Sequence, residues 1–215
     1  MRDAGEVGAS AVTHVPRGPI PDDVAPLMAE RGVASIPTLC VETELADFIF
    51  DPKVLDNPLA KALTTKAIIG AYRTDEIVQQ SADNRERWQQ RNAETLASVK
   101  AMADAGVTIL TGTDAGNWAA IQDYSAHREL VKMVAAGLSP WQALAASTTE
   151  AGAFLGRSFG VRPGDEANLV VLEASPLDDI RNTQRIALVI HHGKIVDRDG
   201  LLGHSKEIII QTMRG

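Results

Sequence analysis

The sequence predicts an α/β fold built on a parallel sheet, followed by a shorter β-rich tail. Short apolar runs alternate with helical patterns over most of the chain, which is the order expected of β-α-β units. The clearest run, residues 107–110, is apolar and β-branched and is followed by small residues and then Asp114, as in a strand buried on both faces. After residue 157 short strands and turns dominate, so we place a domain boundary there, between residues 1–157 and 158–215.

Composition and charge narrow the classes of function. The 215 residues are 45% hydrophobic and 23% charged, as in ordinary globular proteins. The formal net charge is −7 and no long basic run occurs, which argues against binding to nucleic acid or to an anionic membrane. The single cysteine, Cys40, allows no intrachain disulfide. The first residues lack the pattern of a signal peptide, so we expect a cytoplasmic protein.

Capping residues and helix-ending glycines predict the bounds of the first elements. Residues 10–13 are a short strand candidate that ends at His14. Asp22 or Asp23 is expected to cap the helix that follows, and Gly32 is expected to end it. With the apolar run that comes next, this makes a β-α-β unit, which is typical of parallel sheets.

The middle of the chain is predicted to be mostly helical. Residues 33–39 form a second strand candidate, which Pro37 weakens because proline donates no ladder hydrogen bond. Residues 41–73 lack strand periodicity and are interpreted as short helices over the rim of the sheet, which either shape a substrate pocket or form an insertion without function. Helical spacing over residues 74–105 then leads into the apolar run that precedes Asp114.

The later elements are predicted from the same kinds of signal. They are a helix over residues 124–136, a helix capped by Ser139 with Pro140 at its first position, a helix over residues 150–155, strands over residues 168–172 and 187–190, and a hairpin strand over residues 194–196.

His14 and Asp114 are the candidate functional residues, because each follows a strand candidate directly. The carboxyl ends of parallel strands open onto one face, so both side chains should point into the same mouth. Imidazole and carboxylate are typical ligands of zinc and similar divalent ions. Two ligands are fewer than the three or four of a zinc site, and Asp114 alone could equally be a loop aspartate that caps the next turn.

These segments resemble the C-terminal half of the amidohydrolase superfamily, in its imidazolonepropionase-like and prolidase-like branch. The resemblance runs through nearly the whole chain, and the stretch Leu110-Thr111-Gly112-Thr113-Asp114-Ala115-Gly116 is its most specific part, similar to the eighth-strand motif. The other matching segments are Val12-Thr13-His14 (sixth-strand metal histidine), Pro37-Thr38-Leu39 (seventh strand), residues 127–130 and 136–144 (following helices), and residues 163–172 and 193–196 (small β domain, with Asn168 where Asp is usual).

The resemblance implies both a fold and a function. Residues 1–157 would be the part of a TIM (β/α)8 barrel with strands six to eight, and residues 158–215 part of a small β-sandwich. The protein would be a metal-dependent hydrolase of C–N bonds in amides, peptides or cyclic amides. His14 would be a metal ligand, Asp114 a metal ligand and the catalytic proton acceptor, and zinc the expected divalent metal. The implied partners are a small amide or peptide-like substrate and either a further copy of the chain or a complementing chain.

The departures from the family pattern suggest an alternative. The five histidines include no His-x-His pair, and only His14 follows an early strand. A complete barrel of this type takes about 250 residues, whereas only three barrel strands can be counted here. We therefore expect an N-terminally truncated amidohydrolase, and the alternative is a non-catalytic half-barrel that needs a partner chain.

Structural roles are expected for most of the remaining candidates. These expectations are a structural hydrogen bond for His127 (or a place in the pocket wall), solvated turn positions for His191 and His192, packing or a pocket wall for Trp118, a small buried apolar role for Cys40, and scaffold hydrogen bonds for Glu129.

Overall fold

The computed structural model describes residues 1–72, 74–117 and 119–203. Within these ranges helices predominate, and the strands form two separate sheets. The helices are α1 (Arg2–Val7), α2 (Val24–Arg31), α3 (Leu39–Phe50), α4 (Pro58–Leu63), α5 (Lys66–Ala71), α6 (Asp75–Asp83), α7 (Arg85–Asp104), α8 (Tyr124–Ala135), α9 (Pro140–Ser147) and α10 (Thr149–Phe154), with 3₁₀ helices at Pro52–Asp56 and Ile180–Gln184. The strands are β1 (Ala11–Thr13), β2 (Ala34–Ile36), β3 (Leu169–Leu172), β4 (Ile186–His191) and β5 (Lys194–Ile195).

The parallel sheet is short, and β2 lies at its centre. β1 pairs with β2 in parallel, with Ala11 opposite Ala34. On the other side, Ile109 forms a single parallel bridge to Ser35, where the Ser35 amide donates to the Thr108 carbonyl at 2.9 Å. The predicted β-α-β order is therefore present, while the described residues form no closed barrel. The sequence predicted only the part of a barrel with strands six to eight, and the barrel to which they would belong remains an expectation.

The predicted strand at residues 107–110 is a bridge and not a ladder, and the reason is local. The amide of Leu110 donates to the Ser35 carbonyl at 2.8 Å, but the next amide, that of Thr111, donates to the carbonyl of Ala146 at the end of α9. The chain therefore leaves β2 after one pair of hydrogen bonds. We call residues 107–110 the bridge segment.

The main core packs helices against this small sheet. Its largest fully buried members come from α2, α3, α7 and α8, and the 3₁₀ helix of the tail adds one further side chain. Those residues are Met28, Leu39, Val99, Met102, Met133 and Ile180. Because Ile180 belongs to this core, part of the tail packs onto the same core as residues 1–157. The domain boundary near residue 157 stays a prediction.

Three expected elements differ from the observed ones. The second strand ends at Ile36, because α3 begins at Leu39 and takes over the residues expected to continue it. The long helix expected over residues 74–105 is two helices that join at Asn84. Asp23 occupies the N-cap of α2 but makes no capping bond, because its carboxylate pairs with Arg2 of α1, a helix that was not predicted.

The tail forms an antiparallel sheet in the order β3-β4-β5, as the strand and hairpin signals predicted. Val170 and Val171 are 56% and 44% exposed, and consecutive strand residues point to opposite faces. Both faces of the sheet are therefore open in the described part of the chain. A second layer, which a β-sandwich requires, is not among the described residues, so the sandwich stays a prediction.

Candidate functional site

The edge of the parallel sheet gathers three residues in an unusual backbone conformation. His14 follows β1, Thr38 follows β2 by two residues, and Asp114 follows the bridge segment. Their φ angles are 64°, 50° and 50°, in the left-handed region that side chains with a Cβ rarely adopt. Such residues cost of order 1–3 kcal/mol each and cluster at functional sites, where the surrounding structure holds them in place. This edge is therefore the candidate site.

His14 is anchored through both its backbone and its ring. Its amide donates to the Ile36 carbonyl at 2.9 Å, which extends the pairing of β1 with β2 by one residue. Its Nδ1 lies 2.7 Å from the hydroxyl of Thr38, and that hydroxyl lies 2.8 Å from the Pro37 carbonyl. The residue is exposed overall, whereas Thr38 is buried.

Asp114 opens a tight turn. Its Oδ2 accepts a hydrogen bond of 2.9 Å from the side-chain amide of Asn117, and its carbonyl accepts one of 3.1 Å from the Asn117 backbone. These bonds place Asp114 in a turn, and its carboxylate contacts the Asn117 side chain rather than capping a backbone amide among the described bonds. Asp114 is nevertheless exposed, and its Oδ1 has no hydrogen-bond partner among the residues described. The bond to Asn117 and a ligand role are compatible.

Gly112 explains how the bridge segment comes so close to β2. A Cβ at this position would lie 2.3 Å from Cγ2 of Ile36, closer than two carbon atoms can approach. Only glycine fits without a shift of the Ile36 side chain or of one of the two chains. The glycine of the Thr-Gly-Thr-Asp stretch therefore sets the separation between β2 and the backbone that delivers Asp114.

The structure brings His14 and Asp114 to one edge without completing a metal site. β2 lies between β1 and the bridge segment, so the two residues follow neighbours on opposite sides of β2. Among the described residues no group of three or more His, Cys, Asp or Glu side chains is placed to hold a metal ion. None of the three described cavities is lined by His14, Thr38 or Asp114, and the largest of them, of about 810 Å³, is lined by residues between 51 and 62, by α8 and by the tail.

Sequence reasoning missed Thr38, although the Pro37-Thr38 step was within its reach. The strand prediction ran on through Leu39, so Thr38 was treated as an ordinary strand residue and not as a strand-end residue. Glu129 was expected to be a scaffold residue, and the structure agrees. Its carboxylate is fully buried and accepts hydrogen bonds of 2.8 Å from the amides of both Leu39 and Cys40.

The other candidates have mainly structural surroundings. Nδ1 of His127 lies 3.1 Å from the Thr183 hydroxyl, and burial, helped by the charge of Arg198, lowers the pKa of His127 below its usual value. Cys40 is buried, and its Sγ lies 3.3 Å from the Ser125 carbonyl.

The two adjacent tail histidines are exposed, as expected. Nδ1 of His191 lies 2.9 Å from Oδ1 of Asn168, and Nδ1 of His192 contacts Glu166. Trp118, the other residue considered for the pocket wall, lies outside the described residues.

Solved structures with a similar fold are described as a dipeptidase, a prolidase and an amidohydrolase. A Xaa-Pro dipeptidase with bound methionine aligns with a TM-score of 0.61 and 22% identity, over 90% of this chain and 41% of that one. A putative prolidase from Bifidobacterium longum aligns with a TM-score of 0.64 and 26% identity, over 95% and 48%. A bottromycin amidohydrolase aligns with a TM-score of 0.63 and 21% identity, over 95% and 55%. This chain thus spans between 41% and 55% of the length of these structures.

The family of the chain is identified by a family model and not by a curated relative. No curated protein sequence matches the chain significantly. None of the described helices has the length and apolar character needed to cross a membrane. The model of the family described as the amidohydrolase family matches residues 23–196, which is most of the chain and includes α2, β2, the bridge segment and the Asp114 turn. The chain belongs to the amidohydrolase family.

Proposed function

We propose that this chain carries part of the active site of a metal-dependent hydrolase of amide or peptide-like C–N bonds. In this proposal His14 is a metal ligand, and Asp114 is both a metal ligand and the proton acceptor. The observation that carries it is the placement of both residues at one edge of the parallel sheet, each held in a left-handed backbone conformation. Family membership supports hydrolysis of amide bonds in general.

The donor chemistry of the edge fits a zinc-type ion in kind but not in number. An imidazole nitrogen and a carboxylate oxygen are both common zinc ligands, and both residues are exposed enough to be reached. A catalytic site needs about three protein ligands and an open position. The remaining ligands would come from residues other than those described, on a longer form of the chain or on a complementing chain.

Asp114 is the residue suited to proton transfer. Its Oδ2 is held by Asn117, which fixes the carboxylate while Oδ1 can accept a proton from an attacking water and pass it to a leaving nitrogen. A divalent ion, when bound, supplies Lewis-acid polarisation of the substrate carbonyl and acidifies water. The dipeptidase and prolidase descriptions of the solved structures make Xaa-Pro dipeptides the first substrates to test.

A second candidate is a half-barrel without catalysis of its own. The observation in its favour is that the described residues offer two ligands and no third. The open faces of the tail sheet also indicate that another segment or chain covers them. In this case the chain would contribute stability or binding to a partner that holds the metal.

Metal content and dipeptide hydrolysis distinguish the two candidates. We expect the 215-residue chain to bind zinc weakly and to hydrolyse little, and the same chain extended by upstream barrel strands to bind zinc and turn over. In the extended protein, Asp114→Asn should abolish turnover while the fold persists, and His14→Ala should lower zinc content as well as rate.

Asp165→Asn is the matched control, because Asp165 is a partly exposed turn carboxylate whose bonds are to Ser158 and Arg162 in the tail, and it should change neither quantity. An extended protein whose Asp114→Asn variant turned over normally would contradict the catalytic assignment. Tight stoichiometric zinc and full activity in the 215-residue chain would contradict the missing-ligand argument.

A further inference from the structure

We propose that Thr38 and the buried Glu129 act together as positioning residues that fix the ring orientation and tautomer of His14. The inference rests on the proposed function only in that it treats His14 as a ligand. The hydrogen-bond geometry on which it depends is present whether or not a metal binds. It assigns Nδ1 of His14 as the protonated nitrogen and leaves the lone pair of Nε2 for a ligand.

The tautomer follows from counting hydrogens. The Thr38 oxygen lies 2.8 Å from the Pro37 carbonyl oxygen, and two oxygens this close need a hydrogen between them. Only the hydroxyl can supply it, and a hydroxyl has one hydrogen. The 2.7 Å contact between this oxygen and Nδ1 of His14 also needs a hydrogen, which the ring must then provide. Neutral His14 therefore carries its proton on Nδ1.

Thr38 is free for this task because it does not cap the helix that it precedes. Threonine at an N-cap usually accepts a hydrogen bond from an amide of the first turn. Thr38 is the N-cap residue of α3, its φ is 50°, and its side chain makes no such bond. The hydroxyl is instead committed to Pro37 and His14.

Glu129 does the capping from another helix. Its two carboxylate oxygens accept the amides of Leu39 and Cys40, the first two residues of α3, at 2.8 Å each. A fully buried carboxylate is tolerated only with such charge-assisted bonds, and the positive end of the α3 dipole adds to them. By fixing the first turn of α3, Glu129 fixes the backbone of Thr38 and, through its hydroxyl, the ring of His14.

Further contacts hold α8 against α3, so Glu129 is presented on a rigid support. Near the start of α3, Sγ of Cys40 lies 3.3 Å from the Ser125 carbonyl. Near its end, Asp47 pairs with Arg128 at 2.8 Å and with Lys132. The path from α8 to His14 therefore runs through the bonds of Glu129 to the start of α3, the backbone step from Leu39 to Thr38, and the Thr38–His14 bond.

The tautomer can be read from the ¹⁵N shifts of the His14 ring in the metal-free 215-residue chain, at a pH where the imidazole is neutral. His14→Ala assigns the signals. We expect Nδ1–H to dominate, although free histidine in water favours Nε2–H. Thr38→Val should reverse the preference, and Thr38→Ser, which keeps the hydroxyl, should preserve it. Glu129→Gln keeps the shape but turns one acceptor into a donor, and should give a mixture of tautomers.

Ser139→Ala is the matched control, because it removes a helix cap at α9, remote from His14, and should leave the tautomer unchanged. A wild-type chain with Nε2–H dominant, or a Thr38→Val variant identical to wild type, would overturn the proposal. So would an equal tautomer shift in Ser139→Ala.

Should Glu129→Gln fail to fold, hydrogen exchange of the Leu39 and Cys40 amides in the wild type decides its role, since unprotected amides would exclude the cap. A separate outcome tests the proposed function: if the extended protein keeps its zinc in the His14→Ala variant, the ligand assignment fails while the positioning of the ring still stands.

Discussion

At the scale of single residues, backbone strain is concentrated at His14, Thr38 and Asp114, which have positive φ angles after the strands and the bridge segment. Thr38 is the most unusual of the three, because its branched Cβ makes a positive φ costlier than for Asp or His. Asp114 and His14 could be singled out from sequence because a polar residue follows each apolar run. Thr38 follows Pro37 and was within reach, but the strand was expected to continue through it. Glu129 could be assigned only a general scaffold role, because its bond to the start of α3 joins residues 90 positions apart.

Gly112→Ala tests the close approach of the bridge segment to β2. The added Cβ would overlap Ile36, so we expect a loss of about 1–3 kcal/mol in the free energy of unfolding, as for overpacked sites. Urea denaturation of the two proteins measures it. Gly70→Ala is the control: it lies in α5 with open space around the new methyl group, and we expect a gain of up to about 1 kcal/mol. Equal stabilities for the Gly112 variant and the wild type would refute the steric argument.

His127 should make stability depend on pH. Burial lowers the pKa of His127 in the folded state relative to the unfolded chain, so the unfolded chain binds more protons in the window between the two values. The contribution of neutral His127 to the free energy of unfolding is therefore fully present above about pH 6.5. It is lost as the pH drops through that window. Urea unfolding at pH 7.5 and pH 5.5, compared with His127→Asn, isolates the contribution. We expect a smaller loss on acidification in the variant, and an identical loss would count against this account.

At the scale of elements, helices that end at a glycine could be predicted from the sequence. Gly32 follows α2 and Gly106 follows α7 with positive φ, the conformation that ends a helix by a left-handed cap. The small β strands and their hairpin were also located correctly. The short bridge segment was not, because the bond from Thr111 to Ala146 decides it and leaves no periodic pattern in the chain. The break at Asn84 was also not predicted, and the bonds of Asn84 are local ones to Gln80 and Ser81.

Ser139→Ala measures how much the N-cap of α9 contributes to the free energy of unfolding. Ser139 caps α9 through a reciprocal capping box with Gln142, and Pro140 follows it. Loss of such a cap costs about 1 kcal/mol. The Asp23→Ala change at α2 should cost less, because the Asp23 side chain makes no capping bond. Thermal or urea unfolding of both variants compares them, and a larger loss for the Asp23 variant would contradict the assignment of the caps.

At the scale of the whole molecule, we expect the unpaired strand edge and the exposed faces of the tail sheet to favour self-association in solution. β1 pairs with one neighbour in the described chain, and the tail sheet exposes Val170 on one face and Val171 on the other. Unpaired strand edges and uncovered apolar faces favour association. Alternating β and α patterns could predict the sheet itself, but not which of its surfaces would stay uncovered.

We therefore expect the 215-residue chain to associate with rising concentration. Sedimentation velocity over a concentration series measures it. The double variant Val170→Thr/Val171→Thr keeps β-branched side chains while lowering apolar exposure, and should shift the series towards monomer. Val161→Thr is the control, since Val161 is 83% exposed but lies in a loop. A sharp monomer at all concentrations in the wild type would rule out this expectation.

The central position of β2 also sets an order of assembly during folding. β1 and β2 are joined by residues only 23 positions apart (11 and 34), whereas the bridge from Ser35 to Ile109 spans 74 positions. Closing the longer loop costs about 1 kcal/mol more by the usual logarithmic scaling. The β1–β2 pair, and with it the contact of His14 with Thr38, should thus form first. Asp114 would arrive last, so the two candidate ligands meet only when the slowest, most non-local step is complete.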